Sequence, residues 1–265
     1  MGRKGFFTDT TVCIGCKACE VACKQWNQLP DDGLHFTGMS YDQTGDLGAS
    51  TWRHVAFVER PLPFPGQKTG VGDFSWLMMS DVCKHCQRAG CLEACPTGAI
   101  VKTEFDTVYV QPDVCNGCGY CVVACPFGVI DRREDDGRAW KCTLCYDRLG
   151  EGMTPACAKA CPTESIVYGD LDTLTERAEQ RVRKLHTLGV TDAYLYGADA
   201  ESQPGTGGLN AFFLLVDKPE VYNLPPDPVV PTMKQPAAWA SVALAALGTA
   251  AVALGVVLLE RGGRT

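Results

Sequence analysis

The placement of the cysteines constrains this chain more than any other feature. All sixteen fall into four quartets, with none left over. The first is Cys13, Cys16, Cys19 and Cys23; the second is Cys83, Cys86, Cys91 and Cys95. The third is Cys115, Cys118, Cys121 and Cys125; the fourth is Cys142, Cys145, Cys157 and Cys161. Every quartet opens as C-x2-C and closes as C-x3-C, and only the middle gap varies. Proline follows the last cysteine in three of them (Pro96, Pro126, Pro162), whereas Lys24 takes that place in the first. An echo runs on behind each proline: Thr97-Gly98-Ala99-Ile100, Phe127-Gly128-Val129-Ile130 and Thr163-Glu164-Ser165-Ile166. This is an internal repeat of one thiol-bearing module.

The third quartet is the most regular, C-x2-C-x2-C-x3-C-P, and that spacing is the [4Fe–4S] run of bacterial ferredoxins. A short loop of small residues (Gly117, Gly119) curls around one cubane and presents three thiolates to three irons. The fourth cysteine is expected to open the following helix and serve a neighbouring cluster, so one run implies a reciprocal partner. A disulfide framework suits a small secreted domain, and this chain is long enough for an ordinary core, with no signal peptide in view. Zinc knuckles share C-x2-C, but zinc sites usually pair two knuckles and have no use for a third thiol three residues on.

With 265 residues, 46% of them apolar, the chain has room for one or two domains. Its net charge of −7 becomes more negative once thiolates bind clusters, which speaks against a nucleic-acid partner. Ligated thiolates say little about redox compartment, but loading belongs in the cytoplasm; a protein that ends outside would cross folded.

In chain order, Phe6–Asp9 is predicted as a short strand leading into the first quartet. A stretch of about sixty residues then separates the first two quartets. Within it, Trp52–Glu59 alternates as a strand, Pro61, Pro63 and Pro65 break the pattern, and Phe74–Met79 is a short apolar run. This segment serves either as a cover over the clusters or as a docking surface. Ala99–Thr103 and Val108–Gln111 flank Glu104–Thr107 as a β-hairpin. The long gap from Cys145 to Cys157, with Gly150, Gly152 and Pro155, suits a loop. Beyond Asp170, Asp172 or Thr173 is placed to cap a helix carrying Leu174, Ala178, Val182 and Leu185, ending near Gly189. Tyr194–Gly197 and Ala211–Val216 read as strands, and Pro219 to Pro231 as a stiff connector.

The last feature is a tail. From Ala237 to Leu259 no residue is charged, and as a helix the segment is roughly 34 Å long, enough for a hydrocarbon core of about 30 Å. Trp239 stands where an interfacial aromatic would. Ala246, Gly248, Ala250, Ala251 and Gly255 favour close packing on another membrane helix, and the segment has no His, Met or Cys to ligate haem. Arg261 and Arg264 follow it, against Lys234 before it, so the positive-inside bias favours a cytoplasmic C-terminus and a cluster domain on the outer face. Such a domain would be carried out by a partner bearing a twin-arginine signal.

Taken together, Cys13–Cys19 with Cys23 and Trp26-Asn27, Cys83–Pro96, Cys115–Pro126, Cys142–Pro162 and the apolar tail resemble the electron-transfer subunits of the molybdopterin oxidoreductases. Within these, the sequence is most similar to the iron–sulfur subunits of membrane-bound respiratory formate dehydrogenase. Nitrate reductase subunits of the family replace one cysteine by tryptophan; none is replaced here. The resemblance implies an α+β fold of duplicated ferredoxin-like modules with an insertion at about 27–80 and one C-terminal transmembrane helix. The expected divisions are 1–169 for four clusters, 170–235 as an accessory segment and 236–260 as the membrane helix.

The resemblance also implies four [4Fe–4S] clusters whose ligands exchange between quartets. Cys13, Cys16 and Cys19 would share one with Cys161, and Cys142, Cys145 and Cys157 another with Cys23. Cys83, Cys86 and Cys91 would pair with Cys125, and Cys115, Cys118 and Cys121 with Cys95. The partners implied are a molybdenum or tungsten catalytic subunit that oxidises formate and a membrane cytochrome b subunit that passes electrons to quinone. No residues are arranged for substrate chemistry, so the expected role is conduction. The same wire would also serve a dimethyl sulfoxide, thiosulfate or polysulfide reductase, and a zinc-binding membrane scaffold is the reading from outside redox chemistry. His85 is expected to flank the second quartet rather than ligate, and the other three histidines show no partners. Lys17, Lys84 and Lys141 abut the cysteine loops, where they could raise cluster potentials, although the default state of such lysines is solvated.

Overall fold

Strand β1 (Lys4–Asp9) and the distant β10 (Ala211–Leu215) lie side by side and parallel at the centre of a four-stranded sheet. Strand β8 (Ile166–Asp170) pairs antiparallel with β1 on one side, and β9 (Tyr194–Tyr196) antiparallel with β10 on the other. Every residue of β10 is buried, as a continuous Ala-Phe-Phe-Leu-Leu run covered on both faces requires. Phe7 stacks on Phe212 with ring centroids 5.4 Å apart. This computed structural model describes residues 2–33, 36, 38, 41, 42, 44–60 and 75–262. Residues 2–230 form one compact unit and residues 231–262 a second.

Among the described residues, three two-stranded hairpins complete the strands of the larger unit. They are β2 (Arg53–Arg60) with β3 (Ser75–Val82), β4 (Ile100–Lys102) with β5 (Val108–Val110), and β6 (Asp131–Arg132) with β7 (Ala139–Trp140). The alternation at Trp52–Glu59 thus becomes a strand; the three prolines at 61, 63 and 65 lie outside the described residues. The hairpin expected around 104–107 forms, its turn closed by Thr107 N–H donating to Thr103 Oγ1 and Asp106 in a left-handed conformation.

Helix α1 (Ala18–Trp26), α2 (Gly90–Glu93), α3 (Tyr120–Ala124) and α5 (Ala156–Lys159) are the module helices. Each contains the third cysteine of its quartet. The fourth cysteine does not open a helix, as expected from the motif; it lies within or just past the end of one. The reason is spacing: C-x3-C is one helical turn, so the third cysteine starts the turn and the fourth finishes it. Proline after the fourth suits a chain that cannot continue the helix. The gap from Cys145 to Cys157 is also not simply a loop, because α4 (Tyr146–Gly150) forms there and Gly152 turns the chain afterwards.

Helix α6 (Leu171–Thr187) packs Leu171, Leu174, Ala178 and Leu185 into the core. It begins two residues earlier than a cap at Asp172 implied, with Asp170 at the N-cap position and no side-chain cap bond. Leu188 and Gly189 end it, the latter at φ +88°. The segment after residue 170 shares the central sheet with β1: Phe6 N–H donates to Asn210 O at 2.7 Å. That approach needs Gly5, where a Cβ would meet the same carbonyl oxygen at 2.0 Å. In the smaller unit, α7 (Gln235–Gly262) is a single helix, and residues 231–255 are long and apolar enough to cross a membrane, with a mean hydropathy of 1.8.

Candidate metal centre

The four quartets repeat in backbone as well as in sequence. Two residues after each opening cysteine the chain turns left-handed: Gly15 at φ +65°, His85 at +43°, Gly117 at +73° and Leu144 at +58°. That turn folds the C-x2-C loop back on itself, so the first two thiols face one volume. Non-glycine residues pay roughly 1–2 kcal/mol for this conformation, so its presence at His85 and Leu144 marks a constraint that outweighs local preference. A second recurrence follows the prolines, at Gly98, Gly128 and Glu164, all with positive φ.

The loops bring thiols from different quartets together. Burial pushes the Cys23 thiol well above its ordinary range, and Cys157, Cys142 and Cys145 beside it push further. Cys86 is raised likewise by burial and then by Cys83, Cys125 and Cys91. Burial lifts Cys121 to about 11, with Cys115, Cys118 and Cys95 also acting on it. Cys13 is raised by burial against a backbone hydrogen bond from Gly15, with Cys161 and Cys16 adding to the rise. Three further couplings link these groups in series: Cys19 with Cys157, Cys142 with Cys83, and Cys91 with Cys121. Cys16 and Cys118 are exposed, and the other fourteen are at least partly covered.

Buried polar groups around the thiols test whether a polynuclear anionic group fits here. Arg53 is 2% exposed, yet its Nη2 donates to Cys157 Sγ at 3.2 Å. Lys84 and Lys141, expected to be solvated, are 1% and 2% exposed. The Lys84 ammonium donates to Val82 O at 2.9 Å, pairs with Asp81 and lies 5.3 Å from the Phe127 ring centroid. Lys141 Nζ donates to Cys142 O at 2.9 Å and to the Val108 carbonyl. Despite burial, Cys83, Cys91 and Cys142 in their thiolate form hold the Lys141 ammonium above its usual pKa. Burying cations is costly unless negative charge is held close by. Neutral thiols do not supply that charge, but metal-bound thiolates do.

His85 adds a donor. Its Nδ1 accepts the Val108 N–H at 3.0 Å, which leaves the proton on Nε2. Among the described residues that Nε2 finds no hydrogen-bond partner, and His85 lines a cavity with Cys83, Cys86, Cys91 and Cys125. Burial, with Lys141 and Arg53 nearby, holds the ring well below its usual pKa and therefore neutral. An orphaned N–H beside four thiols fits a group that carries sulfide acceptors. Among the described residues, no three His, Cys, Asp or Glu side chains are placed to hold a single metal ion.

Comparison with known proteins agrees. A 4Fe-4S dicluster domain matches residues 12–99, and a second family of the same description matches 74–171. The formate dehydrogenase, nitrate-inducible, iron-sulfur subunit of Escherichia coli (strain K12) is 40% identical over 253 residues, covering 94% of this chain and 81% of that protein. The protein belongs to the formate dehydrogenase iron–sulfur subunits. The formate dehydrogenase iron-sulfur subunit of Haemophilus influenzae is 41% identical over 84% of this chain and 68% of its own length. The B subunit of the anaerobic dimethyl sulfoxide reductase of Escherichia coli is similar at 34% over 65% of this chain and 76% of its own.

The polar residues around the thiols come partly from places the cysteine motifs do not reach. Arg53 and Ser80 stand on the β2–β3 hairpin, and Ser80 Oγ lies 3.2 Å from Cys19 Sγ. Sequence reasoning misses both, because each reads as an ordinary strand residue; only the alternation of β2, which turns Arg53 to the same face as Val55, hints at it. Asn27 Nδ2 lies 3.6 Å from Cys23 Sγ, and Ala139 N–H donates to Cys115 Sγ at 3.4 Å. Two of the other histidines do have partners: His54 Nε2 is 2.6 Å from Asp42, and His186 Nε2 is 2.8 Å from Ala193 O. His35 lies outside the described residues.

Proposed function

We propose that this subunit holds four [4Fe–4S] clusters and conducts electrons from a molybdopterin subunit that oxidises formate towards a membrane cytochrome b and quinone. Each cluster, when bound, takes up and releases one electron at a time. Cys13, Cys16, Cys19 and Cys161 hold the first, and Cys23, Cys142, Cys145 and Cys157 the second. Cys83, Cys86, Cys91 and Cys125 hold the third, and Cys95, Cys115, Cys118 and Cys121 the fourth. The observation that carries this reading is the grouping of thiols across quartets, with Cys23 among Cys142, Cys145 and Cys157 rather than with its own motif.

The protein's own residues then do three things. The left-handed loops aim the thiols, the hairpin and sheet keep water out, and Arg53, Lys84, Lys141 and His85 supply positive charge and N–H donors that favour the reduced form. Helix α7 anchors the subunit, with its C-terminus in the cytoplasm and the larger unit outside. Similarity to the dimethyl sulfoxide reductase B subunit supports the same wire in a reductase; the formate reading is preferred because its relatives cover 84–94% of the chain against 65%.

Gentle detergent extraction, mass spectrometry of co-purifying subunits and a formate-to-viologen dye assay test the assignment. Formate-dependent dye reduction together with a large molybdopterin subunit is the expected result. An intact complex that ignores formate and reduces or oxidises another substrate would hand the wire to a different oxidoreductase.

A further inference from the structure

Two thiols from different proposed sets are tied to one buried cation, Cys157 directly and Cys19 through the Ser80 hydroxyl. The Arg53 Nη2 donates to Cys157 Sγ at 3.2 Å, and Nη1 donates to Ser80 O at 3.2 Å and lies 3.4 Å from Ser80 Oγ. That hydroxyl is in turn 3.2 Å from Cys19 Sγ. The guanidinium carbon lies 4.9 Å from the Phe6 ring centroid, so the charge rests against an apolar surface.

We propose that Arg53 is a positioning residue for electron transfer: one fixed positive charge shared by the set of Cys13, Cys16, Cys19 and Cys161 and the set of Cys23, Cys142, Cys145 and Cys157. It favours the reduced form of both. The inference rests on the ligand sets given above. Reduction of either centre adds one electron, supplied by the catalytic partner, and neither forms nor breaks a bond. The reduced centre is one charge more negative, so a cation a few ångströms away in a poorly screened interior stabilises it over the oxidised one. A guanidinium suits the task because its rigid fork donates in two directions and its charge does not titrate away. Since the same charge serves both centres, it raises their potentials together and keeps the step between them small.

The decisive experiment is a redox titration of the intact complex followed by electron paramagnetic resonance, with iron content as the control. Arg53→Gln is expected to keep its iron and to lower the midpoint potentials of two centres while the others stay put. Arg53→Lys is expected to restore both towards the wild-type values. Unmoved potentials in iron-replete Arg53→Gln, a shift confined to one centre, or no recovery in Arg53→Lys would each overturn the shared role while leaving the ligand sets standing. If Arg53→Gln loses its iron, Ser80→Asp tests the same charge by pairing it in place: a paired lowering is expected, and unmoved potentials overturn the proposal. A wild-type protein without iron–sulfur signals would instead sink the ligand sets, and this role with them.

Discussion

Val108 donates its backbone N–H to His85 Nδ1 at 3.0 Å, and so a strand of the β4–β5 hairpin fixes which nitrogen of a cysteine-loop histidine carries the proton. Both residues are 1% exposed. His85→Ala leaves the Val108 N–H buried without a partner, which costs about 1–3 kcal/mol. Thermal bleaching of the visible absorbance should move to lower temperature, and the centre held by Cys83, Cys86, Cys91 and Cys125 should titrate at a lower potential. A variant as stable as the wild type, with an unmoved potential, would show that this histidine only fills space.

Gly117 makes the third quartet's loop possible on two counts. Its φ is +73°, and a Cβ there would meet the Gly137 carbonyl oxygen at 2.4 Å. The obstacle is backbone rather than a flexible side chain, so Gly117→Ala is expected to lose the iron of one cluster while the rest remain. Full iron content in that variant would mean the loop has slack that its geometry does not show.

Asp106 ties the β4–β5 turn to two other parts of the chain. Its carboxylate accepts from Lys102 at 2.7 Å and from Gln87 at 2.9 Å, while its main-chain oxygen accepts from Asn210 at 2.6 Å. Partial burial pushes the carboxyl up, but the bonds from Lys102 and Gln87 outweigh it and hold the group below its usual 3.8. A depressed carboxyl contributes stability that is full above the unfolded value and fades as pH falls through the lower folded one. At neutral pH, Asp106→Ala should cost about 1–3 kcal/mol, and Asp106→Asn less, because asparagine tolerates φ +61° and keeps an acceptor. Equal bleaching temperatures for the two variants would contradict this.

The cysteine modules are legible in the sequence because their constraint is local: four donors must reach one group, and spacing of a few residues decides whether they can. The hairpin around 104–107 and the helix from 171 are legible for the same reason, through turn chemistry and period. Arg53 is not, because it acts 104 positions away from Cys157, and a lone arginine in an alternating strand carries no sign of its partner. Lys84 and Lys141 mislead in the other direction. Lysine beside a loop is normally solvated, and only the sheet and hairpins built over these two bury them. Helix α4 is hidden by Gly150 at its own end and by Gly152 and Pro155 beyond it, whose turn-forming signal outweighs the four residues Tyr146–Leu149.

The most direct test of the central claim is metal and sulfide analysis of the intact protein purified without oxygen. Four clusters held by sixteen cysteines require one iron and one sulfide per cysteine, and Cys118→Ser should lose or convert one cluster. Half that iron, or zinc in its place, would contradict the four-cluster wire.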